Sequence, residues 1–315
     1  MELTIVDDAQ VTALTPWPAL IDAIREAFRR GGVSPVRHQH AIPGNDRKDI
    51  TFLLMPAWNR DGDFGIKLAT VAPSNAAYGR PTLHGAYVLF SGATGIPRAI
   101  LDAGALTARR TAAASALASR YLSRADSKTL LMIGTGRVAR QLIAAHCSVR
   151  PIEEVRIWGR SATHAQDAAN VARRDTGISC VCVPDIETGA SGAHIISSAT
   201  PAETPLLQAD WVGRGTHVDL VGAYKPTMCE ADADLIGKAD QVFVDTMEGA
   251  IDEAGDLIQA VQAGTFSFDD IAGDMYRMAS RDVSLRHDSD EITLFKSVGT
   301  ALQDLAAAQL CVQHV

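Results

Sequence analysis

The residues with the clearest chemical use are glycines. Thr129-Leu130-Leu131-Met132-Ile133 reads as a strand and runs into Gly134-Thr135-Gly136-Arg137-Val138-Ala139, after which Val138, Leu142, Ile143 and Ala145 recur at helical spacing. A Gly-x-Gly-x-x-Ala turn between strand and helix works through the side chains it lacks. Gly134 lets the chain reverse, Gly136 lets backbone approach a pyrophosphate, and Ala139 lets the helix pack on the strand. The phosphates then rest on unpaired N–H groups at the positive end of the helix. Gly134, Thr135, Gly136, Arg137 and Val138 are the expected phosphate-side contacts of a dinucleotide.

The end of the next strand, Val155-Arg156-Ile157-Trp158, bears on which dinucleotide. A carboxylate there would bond the ribose 2′-hydroxyl of NAD, but Gly159-Arg160-Ser161-Ala162-Thr163 stands in its place. A guanidinium forks onto phosphate oxygens and hydroxyls donate beside it, so NADPH is favoured, with NADH as the alternative. The plain reading of Arg160 is a solvated residue after a strand. Ser198, Ala199 and Thr200 follow another expected strand and are placed along the nicotinamide.

These residues need elements to hold them. A chain of 315 residues exceeds one ordinary core. Trp17 to Arg30 has a helical apolar stripe closed by Gly31-Gly32, and strands follow at 37–41, 50–55, 64–72, 85–91 and 98–102, the last two joined by the turn Gly92-Ala93-Thr94-Gly95. This is a mostly antiparallel sheet. After an Ala-rich helix from Thr107 to Arg124, six strands alternate with crossovers from Thr129 to Val244, which implies a doubly wound parallel sheet. Asp290 to Val312 reads as one long helix, with Ile292, Phe295, Val298, Leu302 and Leu305 on its apolar face.

A formal charge of −8 argues against a nucleic-acid partner, and no run is long and apolar enough for a membrane span. The start has no secretory pattern, and the five scattered cysteines offer no zinc-ligand spacing. A cytoplasmic protein with reduced thiols and no metal is expected.

Four separated runs carry a resemblance that spans nearly the whole chain. They are Leu106-Thr107-Ala108-Arg109-Arg110-Thr111-Ala112-Ala113-Ala114-Ser115-Ala116-Leu117-Ala118, Gly134-Thr135-Gly136, Val244-Asp245 with Glu253-Ala254-Gly255-Asp256-Leu257, and Ile292-Thr293-Leu294-Phe295-Lys296-Ser297-Val298-Gly299. In this order they resemble the ornithine cyclodeaminase and mu-crystallin family. The resemblance implies an α/β fold in which a Rossmann-type domain (121–289) is inserted in a smaller discontinuous α/β domain (1–120, completed by 290–315). That smaller domain would bind a small-molecule substrate and form a homodimer, with the active site between the domains. It also implies that Arg37, Lys67 and Arg110 hold a substrate carboxylate and that Lys296 lies near the cofactor. Lys67 suits the role independently, since it alternates with apolar neighbours in Phe64-Gly65-Ile66-Lys67-Leu68-Ala69 and a buried lysine needs an anionic partner. Arg109 is expected to be structural.

Two departures narrow the activity. In ornithine cyclodeaminases a glutamate lies two residues before Met-Pro, where this chain has Leu53, and the catalytic aspartate falls where Tyr224 stands. Without those carboxylates a distal amine has no partner and its deamination no base. The expectation is therefore NAD(P)H-dependent reduction of a cyclic imino acid, Δ1-pyrroline-2-carboxylate or Δ1-piperideine-2-carboxylate, to L-proline or L-pipecolate. Lys67, His84 and Tyr224 are the candidates for holding the proton on the imine nitrogen. A cyclodeaminase, an alanine dehydrogenase and a non-catalytic NADPH-binding protein stay open as alternatives.

Overall fold

The computed structural model describes residues 3–43, 50–59 and 62–313. The chain forms two compact units, Met1–Arg110 with Thr300–Val315, and Thr111–Gly299. In chain order the elements are β1 (Thr4–Val6), α1 (Asp8–Leu14), α2 (Trp17–Arg30), β2 (Gly32–Val33), β3 (His38–Ile42), β4 (Ile50–Asn59), β5 (Phe64–Val71), β6 (Leu83–Phe90), β7 (Pro97–Asp102) and α3 (Ala103–Leu122). There follow β8 (Thr129–Ile133), α4 (Arg137–Val149), β9 (Glu154–Trp158), α5 (Ala162–Thr176), β10 (Ser179–Cys182), α6 (Ile186–Ala190), β11 (Ile195–Ser198), β12 (His217–Leu220), α7 (Ala233–Lys238) and β13 (Gln241–Val244). The chain ends with α8 (Met247–Asp252), α9 (Gly255–Ala263), β14 (Ile271–Asp274), α10 (Met275–Ala279), β15 (Thr293–Lys296) and α11 (Ala301–Val312).

The first unit is a sheet of order β1-β7-β6-β5-β4-β2, with β3 also on β4; its pairs are antiparallel except β1 with β7. Strand alternation gives the sheet two unlike faces. Leu53, Met55 and Ala57 of β4, Gly65, Lys67 and Ala69 of β5, and Tyr87 and Leu89 of β6 are buried. This is the side packed by α11, which lies on β4, β5 and β6 and also against α2. The alternate residues, among them Leu54, Pro56, Ile66, Leu68 and Val88, stay half-exposed. α2 begins with Pro in its first turn and stops at Gly31, whose φ of 73° a side chain would resist.

The second unit carries an eight-stranded sheet in the order β10-β9-β8-β11-β12-β15-β13-β14, every pair parallel. Here the expectation of one helix from Asp290 to Val312 needs correction. Thr293–Lys296 is a strand between β12 and β13, and α11 starts only after Gly299, with Thr300 as its cap. A strand covered on both faces is buried at every position, as β15 is, so its apolar run shows no alternation to separate it from a helix. Residues 290–299 therefore group with the second unit, where Thr293–Lys296 joins the eight-stranded sheet, rather than complete the first unit. β14 is a further strand that the sequence did not suggest. The other boundary lies inside α3, so residues 111–120 group with the second unit. Among the described residues no helix is long and apolar enough to cross a membrane.

Candidate functional site

At the end of β8 the chain turns at Gly134 with φ of 121°, a region that favours glycine. A Cβ there would lie 2.8 Å from the Ala199 carbonyl oxygen, so the turn closes against the loop after β11. Gly136 is the N-cap of α4 and supplies no side-chain cap, and a Cβ on it would meet open space. The first N–H groups of a thirteen-residue helix thus face a surface free of side chains from the cap residue. Thr135 is half-buried, Gly136 and Arg137 are exposed, and Val138 is half-buried. Gly159 makes room for Thr135, whose Cγ2 would be 2.6 Å from an added Cβ.

Beyond this turn Trp158, Gly159, Arg160, Ala162, Cys182, Val183 and Pro184 line a hollow of about 490 Å³ between the ends of β9 and β10. Arg160 is exposed at its rim. Ser161 Oγ accepts the His164 N–H as the cap of α5 and keeps its own proton to donate. A glycine cradle, a helix start without a side-chain cap and an adjoining hollow fit a dinucleotide.

The loops after β11 and β12 are tied from behind by Glu230, which is fully buried. Its Oε1 accepts from Ser198 Oγ at 2.6 Å, Thr200 N at 2.7 Å and Thr200 Oγ1 at 3.1 Å. Its Oε2 accepts from Gly222 N at 2.6 Å and Ala223 N at 3.2 Å. Below it Asp256 accepts the Glu230 and Ala231 N–H groups and lies 2.7 Å from Lys296 Nζ. Burial pushes the Glu230 carboxyl up to about 7 and Asp256 adds to the push, against the pull of Lys296. Two expectations change here. Lys296 is 1% exposed and held by Asp256, and Ser198 is fully buried on Glu230, so neither side chain reaches a surface where a cofactor could touch it. Ala199 and Thr200 remain half-exposed. Tyr224 is half-exposed on the loop after β12, with Lys225 Nζ 5.7 Å from its ring centre.

In the first unit, the buried face of the sheet brings Lys67 under α11. Its Nζ lies 2.6 Å from Asp304 Oδ2, and Arg110 Nε donates to Asp304 Oδ1 at 2.9 Å. Arg110 Nη1 donates to Gln303 Oε1 at 2.7 Å. Burial pushes the Lys67 ammonium down to about 7; Asp304 opposes this, while Arg110 and Arg37 add to it. The half-buried Arg37 therefore belongs to the same electrostatic neighbourhood. Tyr87 pairs with Lys67 across the strands, and its phenol, buried and near Asp304, is held well above its usual range. Gly65 leaves the space for that ring, since a Cβ there would be 2.4 Å from the hydroxyl.

His84 stands apart from this cluster in character: it is exposed, with Nε2 2.9 Å from the Pro81 carbonyl. Arg109 is structural, stacked 3.5 Å from the Trp17 ring centre and donating to Thr15. Sequence reasoning missed Asp304, Gln303, Tyr87 and Glu230. A signal existed for Asp304 alone, as a carboxylate inside the apolar Ala301-Leu302-Gln303-Asp304-Leu305-Ala306 run. Among the described residues no group of acidic, histidine and cysteine side chains could hold a metal, and the five cysteines are free thiols.

Comparison with known proteins gives these features a context. A Δ1-pyrroline-2-carboxylate reductase of Colwellia psychrerythraea is 36% identical over 316 residues, covering 99% of this chain and 99% of its own. The structure of the Thermococcus litoralis Δ1-pyrroline-2-carboxylate reductase in complex with NADH and L-proline superposes with a TM-score of 0.93 at 28% identity, covering 99% and 97% of the two chains. An archaeal alanine dehydrogenase dimer with bound NAD gives 0.90 at 29% identity, covering 99% and 96%. The family profile matches residues 1–315. The chain belongs to the ornithine cyclodeaminase/mu-crystallin family.

Proposed function

We propose that this protein reduces a cyclic imine bearing a carboxylate on its C=N carbon, Δ1-pyrroline-2-carboxylate or its six-membered homologue, to the L-amino acid with NADPH, or NADH in its place. The observation that carries this reading is the pair of buried cations, Lys67 and Arg110, seated on the single carboxylate of Asp304 with Arg37 nearby. Two cations on one buried carboxylate leave an unbalanced charge, which a substrate carboxylate would balance. On the same face Leu53 and Met55 present apolar surface, Met55 directly opposite Lys67, which suits ring methylenes better than a distal ammonium.

The relatives named as Δ1-pyrroline-2-carboxylate reductases support the substrate class. A nicotinamide cofactor held at the glycine turn would supply the hydride for C2 of the imine. This chain's residues would do the rest. Arg37 and Arg110 hold the carboxylate and fix the ring, which is catalysis by positioning. Lys67 gives a proton to the imine nitrogen, so that the C=N bond becomes C–N with one hydride and one proton added, and it recovers that proton from water. We assign this step to Lys67 rather than His84 or Tyr224 because it is buried, flanked by the clamp and drawn down to about 7. The second copy of a homodimer would cover the apolar outer face of the sheet, where Trp58 is 40% exposed and Phe64 and Phe90 stack 5.0 Å apart.

The test is turnover by the purified protein with NADPH and NADH against both cyclic imines, pyruvate with ammonia, and ornithine. Oxidation of the reduced cofactor with the imines is expected. Ammonia release from ornithine in their place would overturn the reading.

A further inference from the structure

Glu230 does something that general structural support does not require: one carboxylate collects three backbone N–H groups from two loops, those of Thr200, Gly222 and Ala223. All described peptides are trans, so each N–H that points at Glu230 sends the carbonyl of the same peptide the opposite way. Those carbonyls belong to Ala199, Val221 and Gly222. The first is located directly, because the Ala199 oxygen is the atom that a Cβ on Gly134 would strike at 2.8 Å. The acceptor therefore lies over the glycine turn at the carboxyl ends of β8 and β11, the edge of a parallel sheet where ligands bind. The loops are fixed with little slack, as a Cβ on Gly222 would lie 2.2 Å from both Thr200 N and Thr200 O. Glu230 is itself held through its own N–H by Asp256, and Asp256 by Lys296.

We propose that Glu230 is a positioning residue for the nicotinamide-riboside half of the dinucleotide. It turns backbone carbonyls, that of Ala199 first, toward the crevice as acceptors for the hydroxyl and amide donors of that half. The inference rests on reading the crevice as a dinucleotide site. It concerns the half of the ligand away from the Arg160 hollow, so the two halves can be tested separately.

The experiment is equilibrium binding, without turnover, of NADH and of ADP-ribose to the wild type, Glu230→Gln and Glu230→Asp. The Gln amide replaces one carboxylate oxygen with an NH2 donor, so either the Thr200 N–H or the Gly222 and Ala223 N–H groups lose their acceptor. It is expected to weaken NADH about tenfold or more while ADP-ribose stays within about twofold. Asp keeps the charge but is one methylene short, and should weaken NADH by about threefold with ADP-ribose again unchanged. It serves as the deciding variant where the Gln protein does not fold. Equal losses for both ligands, or none for NADH, would overturn the inference and leave Glu230 a structural anchor. A wild type that binds neither ligand would instead sink the dinucleotide reading itself.

Discussion

Each unit buries three charged side chains in contact, and the two sets differ in the sign of their excess. In the first unit Lys67 and Arg110 share Asp304; in the second Lys296 pairs with Asp256, which also accepts the Glu230 N–H, and Lys296 acts on the Glu230 carboxyl through its charge. The acidic excess is answered within the protein, since five donors converge on Glu230 and two backbone N–H groups on Asp256. Among the described residues no second carboxylate pairs with Lys67 or Arg110 to answer the cationic excess in the same way. Burial and the neighbouring guanidinium groups both disfavour the charge on Lys67, with Asp304 alone opposing them. A buried cluster complete in itself is an anchor, and one left short of a counter-charge is built for a ligand.

Matched substitutions of the two lysines would break this comparison most directly. Lys67→Met should lower imine reduction by about a thousandfold or more, the range of a lost proton donor, while cofactor binding is retained. Its stability should stay within about 1 kcal/mol of wild type or rise, because a strained buried charge is removed and Arg110 still pairs with Asp304. Lys296→Met should do the reverse at neutral pH. It leaves two carboxylates without their cation and is expected to cost about 3–5 kcal/mol in denaturant unfolding. If both variants lose stability alike, the clusters are not different in kind.

The same contrast has a pH signature. The Glu230 carboxyl stands at about 7 in the fold against 4.5 when free, so the native state prefers its protonated form. Its contribution to stability is full below pH 4.5 and is lost as pH rises through about 7. Lys296→Met should therefore recover stability on acidification from pH 8 to about 5.5, where Glu230 takes up a proton. Lys67 runs the other way, lowered to about 7 from 10.5, so the fold holds its proton less tightly than the free chain does and the contribution this makes to stability is lost as pH falls through 7. If Lys67 gives the proton, kcat/KM for imine reduction falls about tenfold per unit above that pH. A flat profile from pH 6 to 9 would remove Lys67 from the proton transfer.

What the sequence showed and hid follows the same division. The Gly134-Thr135-Gly136 turn was legible because its chemistry is local, a strand, a turn and a helix within some twenty residues. Lys67 was legible because a charge in an alternating apolar strand contradicts its surroundings. Asp304 left a trace, a carboxylate in an apolar run, but nothing that named its distant partners Lys67 and Arg110, and Glu230 left none, since its partners Thr200 and Gly222 come from other parts of the chain. Glu230 lies in a connection with no periodicity to mark it. β15 was misread because a strand buried on both faces carries no pattern of its own. The partner of the Lys296 side chain was hidden for a related reason, since a family signature near a cofactor does not say which of its side chains face inward, as Lys296 does on Asp256.

The smallest effect expected is at Arg160, which lies outside both buried clusters. Its guanidinium is exposed at the rim of the hollow beside Gly159 and Ala162, so water and salt screen whatever charge it meets. A 2′-phosphate held there would gain a charge-assisted bond worth about 1.5 kcal/mol, near the low end for such contacts. Arg160→Ala should then weaken NADPH about tenfold and leave NADH within about twofold. The NADPH penalty should also shrink as salt is raised, which the losses at the buried lysines should not. Equal effects on the two cofactors would return Arg160 to the solvated surface and remove the guanidinium argument for the phosphorylated form.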